Sequence, residues 1–131
     1  MKKIGVLNKD ISDVVASMGH MDMLVIGDAG LPIPRGVRRI DLAVRQGVPG
    51  FLETVEAVAS ELQVERIILA EETTTVSPHI YEALRRLFEG AVIETVSHAR
   101  LKELSAQAVA VVRTGEFTPY ANVILASGVV F

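Results

Sequence analysis

Short apolar runs that alternate with stretches of helical periodicity constrain this chain more than anything else in it. Met23–Gly27, Val64–Ala70, Ala91–Val96 and Ala108–Arg113 are five to seven residues of mostly branched or small apolar side chains. Such runs read as strands, and the continuous Ile67-Ile68-Leu69 of Val64–Ala70 suits a sheet covered on both faces. Between them, Ile11, Val14, Val15 and Met18 recur at helical spacing, with Asn8 or Asp10 as a cap and Gly19 as a stop. Phe51, Leu52, Val55, Val58, Ala59 and Leu62 trace a second helical face, and Ile80, Leu84, Leu87 and Phe88 a third, running from about Ser77-Pro78 to Glu89. His98–Ala106 reads as a short helix, Arg39–Val44 as another extended segment, and Asn122–Leu125 as a last strand or a buried helical turn. Strand and helix in alternation predict one α/β domain over residues 1–131, a three-layer α/β/α arrangement with a largely parallel or mixed sheet.

Half of the 131 residues are hydrophobic, and the mean hydropathy of +0.38 is high for a monomer of this size. No run reaches the roughly 20 apolar residues of a membrane span, and the apolar stretch after Lys2-Lys3 is too short for a signal peptide. The expectation is a cytoplasmic protein that hides surplus apolar surface in a homo-oligomer. A net charge of −3 gives no field that would draw the whole molecule to nucleic acid or an anionic membrane. Arg35, Arg38, Arg39 and Arg45 are a local basic cluster, read as a solvated loop or an ion-pair patch with Asp41 because no glycine-rich anion cradle accompanies it. The chain has no cysteine, and His20, His79 and His98 are far apart in sequence. Neither a thiolate site nor a histidine metal motif is expected, and no phosphate-loop, dinucleotide or nucleophile-elbow motif occurs.

The candidate chemistry gathers where strands end. Met23–Gly27 breaks into Asp28-Ala29-Gly30 and a loop stiffened by Pro32 and Pro34. Glu71-Glu72, Ser97-His98 and the segment Thr114–Asn122 follow later strands in the same way. In a mostly parallel sheet these endings meet at one edge, where open α/β sheets collect ligands. Together they offer carboxylates, an imidazole, a phenol and an amide, a set suited to a small hydroxyl-rich ligand. His20 stands at the other end of the Met23–Gly27 strand, and an imidazole is the sort of side chain that can move a proton near neutral pH. Each group also has a bland role: Asp28 in a turn, His20 on the carbonyls of a helix end, His98 in a helix's first turn, Tyr120 in packing, Asn122 as a cap. If residues 120–122 are extended, Tyr120 and Asn122 project to one side and face one ligand.

Several blocks carry a family resemblance. They are Gly19-His20-x-Asp22, Asp28-Ala29-Gly30-Leu31-Pro32-Ile33-Pro34, Arg39-Ile40-Asp41-Leu42, Gly47-Val48-Pro49, Ala70-Glu71-Glu72, Arg113-Thr114-Gly115-Glu116-x-x-Pro119-Tyr120-Ala121-Asn122 and the closing Gly128-Val129-Val130-Phe131. On these the chain resembles, from end to end, the ribose pyranase and fucose mutarotase family. Asp28-Ala29-Gly30-Leu31-Pro32 stands where the fucose branch carries Asp-Ala-Asn-Phe-Pro, which favours ribose. The resemblance implies a cofactor-independent isomerase that interconverts pyranose and furanose forms of D-ribose in the cytoplasm. It implies His20 as proton donor, Asp28, His98, Tyr120, Ala121 and Asn122 as sugar-binding residues, no metal, and a ring-shaped homodecamer. The chain departs from the family at Thr73-Thr74, where a lysine often stands two residues after Glu-Glu. The rival reading from another class is a sugar-binding or regulatory module without turnover.

Overall fold

The computed structural model describes all 131 residues. Six strands form one sheet in the order β2-β5-β1-β6-β3-β4: β1 (Met23–Gly27), β2 (Arg38–Asp41), β3 (Val64–Ala70), β4 (Val92–Val96), β5 (Ala110–Arg113) and β6 (Val123–Ser127). β1, β2 and β5 pair in parallel, as do β3 and β4. β6 lies between β1 and β3 and runs antiparallel to both. Five strands therefore point one way, and the sixth begins where the others finish. The helices are α1 (Lys9–Ser17), α2 (Phe51–Ala59), α3 (Glu71–Val76), α4 (Pro78–Leu87) and α5 (His98–Ser105).

Local chemistry explains the helix starts. The Asn8 carboxamide oxygen accepts from the Ile11 N–H at 2.9 Å, and the Ser97 hydroxyl accepts from the Arg100 N–H at 3.1 Å. Each satisfies a donor that the first helical turn leaves free. Pro78 opens α4, where a missing N–H costs nothing.

The two faces of the sheet are covered unequally. Ile11 and Val14 of α1, Phe51, Val55 and Val58 of α2, and Ile80 and Leu84 of α4 pack with Leu24, Ile26, Ile67, Leu69, Val112, Val123 and Leu125 in the larger core. The opposite face buries Leu101 of α5 and Leu31 of the proline loop over Val25, Ile68, Val111 and Ile124, with partly buried Ile33, Val37 and Leu104 packed against them. Strand residues thus alternate between two cores, as continuous apolar runs require. The three layers match the sequence-based expectation, with three helices on one side and one on the other.

Two elements differ from that expectation, and a third decides between alternatives it left open. The second extended segment is Arg38–Asp41 rather than Arg39–Val44, because the chain after Asp41 turns to pair Arg45 with Val48. The last apolar segment is a strand, Val123–Ser127, and not a helical turn. Glu71–Val76 forms a helix absent from the periodicity reading; Glu-Glu-Thr-Thr-Thr has no apolar face, and tertiary hydrogen bonds hold it.

Candidate functional site

Because β6 is the one antiparallel strand, its start lies at the edge where β1, β3, β4 and β5 end. That geometry brings Asp28, Glu72, His98, Thr114, Tyr120 and Asn122 to one place, from segments up to 94 residues apart.

Asp28 and Asn122 form the closest link. The Asn122 Nδ2 donates to Asp28 Oδ2 at 3.0 Å, and its Oδ1 accepts from the Asp28 N–H at 2.9 Å. The Asp28 Oδ1 accepts from the Gly30 N–H at 2.9 Å, so the bland turn role is real but occupies only one oxygen. Gly27 makes the pairing possible: a Cβ there would lie 2.8 Å from Asn122 Oδ1 and 2.7 Å from Leu31 Cδ2. Asn122 and Ala121 are fully buried, while Asp28 is partly open to solvent. Asn122 therefore meets the site through Asp28.

Tyr120 has φ +60°, a left-handed conformation that an aromatic residue seldom adopts. The Asn122 N–H folds back on the Tyr120 carbonyl at 2.9 Å. Residues 120–122 are thus a turn and not an extended stretch, and Tyr120 and Asn122 do not project side by side. The Tyr120 ring meets His98 edge-on, with centroids 5.0 Å apart and planes at 81°, a favoured aromatic geometry. A hydroxyl of the helix Glu71–Val76 and one from the residue that caps it hold this loop. Buried Thr73 donates to the Tyr120 carbonyl at 2.8 Å, and buried Ser77 donates to the Pro119 carbonyl at 2.6 Å. Their four-residue spacing, one helical turn, was the available signal. Thr74 turns its hydroxyl to the Glu71 carbonyl at 2.6 Å.

His98 opens α5, and its N–H donates to Glu72 Oε2 at 2.9 Å. Its Nδ1 is buried without a hydrogen-bond partner in the chain.

Beside Asp28 opens a cleft of about 450 Å³ lined by Ala29, Gly30, Arg113, Phe117, Thr118 and Pro119. Arg113 was not singled out as a site residue by the sequence reading. Its Nε donates to the Ala29 carbonyl at 3.0 Å, and its Nη1 lies 3.1 Å from Asp41, so it fixes the loop that carries Asp28. Of the basic cluster, Arg38 pairs with Asp10 and Asp13 of α1, and the Asp41 partner is Arg113 instead. Arg38 holds the Asp13 carboxyl below its ordinary range, first by hydrogen bonding and then by charge. Burial pushes the Glu116 carboxyl up. Hydrogen bonds from the Phe51 N–H and from Thr118 outweigh that, and the carboxyl stays below its ordinary value.

His20 stands apart. It precedes β1, whereas Asp28 follows it, and five strand residues at about 3.3 Å each separate the two by roughly 16 Å. Its Nε2 lies 3.0 Å from both oxygens of Glu65 on β3, so it does not bond the free carbonyls of α1. No three His, Asp or Glu side chains are grouped to hold a metal ion. No helix is long and apolar enough to cross a membrane.

Comparison with known proteins adds to this geometry. The sequence model of the RbsD / FucU transport protein family matches residues 1–130. A protein named D-ribose pyranase from Symbiobacterium thermophilum is 60% identical over 131 residues, covering all of both chains. One of the same name from Chloroflexus aggregans is 59% identical, again over the whole of both. Among solved structures, Bacillus subtilis RbsD complexed with D-ribose superposes with a TM-score of 0.97 at 46% identity, covering all of each chain.

Proposed function

We propose, for a chain that belongs to the RbsD / FucU transport protein family, that it is a D-ribose pyranase acting as one ring-isomerase domain over residues 1–131. The observation that carries the reading is the meeting of Asp28, His98, Tyr120 and Asn122 at one sheet edge, in a chain whose full-length relatives bear that name. The reaction interconverts the pyranose and furanose forms of D-ribose. A proton goes to the ring oxygen and the anomeric hydroxyl loses one, so the C–O bond breaks and an open aldehyde forms. A different hydroxyl then adds to the aldehyde with the reverse proton movements. Nothing is oxidised or reduced, and side chains suffice for every step.

In this reading Asp28 accepts a sugar hydroxyl with the oxygen turned from its own loop, held by Asn122. His98 Nδ1 and the Tyr120 ring take the opposite side of the sugar, and Ala121 keeps the turn between Tyr120 and Asn122 packed. His20 supplies the proton, and a positioned acid–base group contributes about 10²–10⁴-fold. The roughly 16 Å between His20 and Asp28 in one chain requires the His20 of a second copy to face this edge. Exposed Ile4, Leu7, Val44, Phe117, Val130 and Phe131 supply apolar surface for such contacts, and the ring-shaped decamer implied by the resemblance is the proposed assembly. The proposed compartment is the cytoplasm.

Saturation-transfer NMR on D-ribose tests the activity. Exchange between ring forms quickens with the protein and not with His20→Ala, while folding is unchanged. Line broadening without faster exchange would make the protein a binding module, and faster exchange of L-fucose than of ribose would move it to another aldose. Light scattering that returns a 14.1 kDa particle at micromolar concentration would remove the second copy from the mechanism.

A further inference from the structure

We propose that Glu65 is the positioning residue of His20: it binds Nε2 and leaves Nδ1 as the nitrogen that gives and takes the proton. The inference rests on the ring-exchange reading and deepens it. Three independent features converge on this pair. First, β3 and β6 slip register between Val64, opposite Ser127, and Arg66, opposite Ala126. Glu65 is the extra residue of that bulge, a device that re-aims one side chain out of the strand's alternation. Second, both Glu65 oxygens lie 3.0 Å from His20 Nε2. Third, Gly128 leaves the room that the carboxylate occupies: a Cβ there would approach Glu65 Cβ to 3.0 Å and Oε2 to 3.2 Å. The closing Gly-Val-Val-Phe block thus has a physical reason for its glycine.

The imidazole is fixed from its backbone as well. Asp22 Oδ2 accepts from the Gly19 N–H at 2.8 Å, the Ser127 hydroxyl donates to the Gly19 carbonyl, and the Met21 N–H donates to the Ser127 carbonyl at 2.9 Å. Met21 takes φ +71°, a strained conformation of the kind found beside functional groups. His20 is thereby presented on a rigid turn.

A carboxylate on one nitrogen decides what the other can do. With Nε2–H on Glu65, the neutral ring has its lone pair on Nδ1, and the charged ring has there a proton to give. The sugar's ring oxygen takes the Nδ1 proton as the C–O bond breaks, and the proton of the anomeric hydroxyl returns to the pool of acid–base groups and water. Besides Glu65, the charged groups near this turn are Asp22, already turned to Gly19, and Arg66, Glu94 and Arg100, which share a groove with Met21. Arg66 is engaged with Glu94 at 3.4 Å, which leaves Glu65 as the carboxylate on the ring.

The test is ribose ring exchange measured against pH for the parent, Glu65→Gln and Gly128→Ala, with ¹⁵N NMR of the His20 imidazole in each. Loss of a carboxylate that orients a metal-binding histidine typically costs 10–100-fold, and a loss of that order is expected for a histidine that transfers a proton. Glu65→Gln is expected to lower kcat by about that factor, leave KM for ribose within about twofold, and change the dependence of the rate on pH. Gly128→Ala, which crowds the carboxylate, moves rate and profile the same way. In the parent spectrum the neutral ring carries its proton on Nε2, and in Glu65→Gln that preference is lost. An unchanged kcat and pH profile in Glu65→Gln, or a lower melting temperature with unchanged exchange per folded molecule, would overturn the proposal. If the parent itself fails to speed ribose exchange, the ring-exchange reading falls. The imidazole spectra still decide the pair: a ring protonated on Nδ1 in the parent refutes it.

Discussion

Replacing Asn122 by Asp is the sharpest perturbation of the site, because it changes one atom type and leaves the shape alone. The new carboxylate keeps an oxygen where Oδ1 accepts the Asp28 N–H at 2.9 Å, but sets a second oxygen 3.0 Å from Asp28 Oδ2 where an N–H now donates. Two unit charges 3 Å apart at an effective dielectric near 20 repel by about 5.5 kcal/mol. Asp28 is partly open to water, so about 2–3 kcal/mol is the expected cost. The pair can avoid the cost by holding one proton between its oxygens, as adjacent carboxylates do. The folded variant then binds a proton that its unfolded chain has released above about pH 4. Its stability relative to the parent falls as pH rises, by about 1.4 kcal/mol per unit. The deficit grows from within about 1 kcal/mol near pH 4 to a plateau near pH 6. Urea denaturation of parent and Asn122→Asp at half-unit pH steps measures the difference directly. Ribose exchange per folded molecule should fall over the same interval, since a doubly charged pair no longer holds Asp28 in place. A stability difference that is flat between pH 4 and pH 7 would mean that Asn122 and Asp28 are not in contact in solution.

Thr73→Val removes the hydroxyl that holds the Tyr120 carbonyl at nearly constant volume. The carbonyl keeps its bond from the Asn122 N–H, so the loss is about 1–2 kcal/mol in thermal or urea unfolding, while ribose exchange drops further as Tyr120 leaves φ +60°. Exchange that follows stability alone would make the α3 hydroxyls simple core bonds. Glu116→Gln weakens the acceptor that ties the β5–β6 loop to the start of α2. The parent's folded Glu116 carboxyl is held below its ordinary 4.5, so its contribution of about 1 kcal/mol, discounted for contact with water, is present above that pH. It is lost as pH falls through the lower folded value. Melting curves of parent and variant should converge in acid, and divergence there would reverse the argument.

The strands and three of the long helices were legible because apolar residues record which way each segment faces. Met23–Gly27, Val64–Ala70 and Phe51–Ala59 could be read from periodicity alone, since burial on two faces, or on one, dictates residue type directly. The placing of Asp28, His98 and Asn122 near one another was legible in outline, because strands of a parallel sheet end at a common edge. What the sequence could not specify was the direction of β6, which rests on strand pairing between residues far apart. That single antiparallel strand puts Asn122 beside Asp28. Helix α3 stayed hidden because Thr73 and Ser77 are fixed by carbonyls of a distant loop and no apolar stripe marks it. The partner of His20 was equally invisible: Glu65 reaches it through a bulge, and a register slip leaves no trace in a chain's periodicity. Hydrophobic pattern is a local property and travels with the sequence. Polar contacts across the sheet depend on strand order and register, and those are set only when the whole core packs.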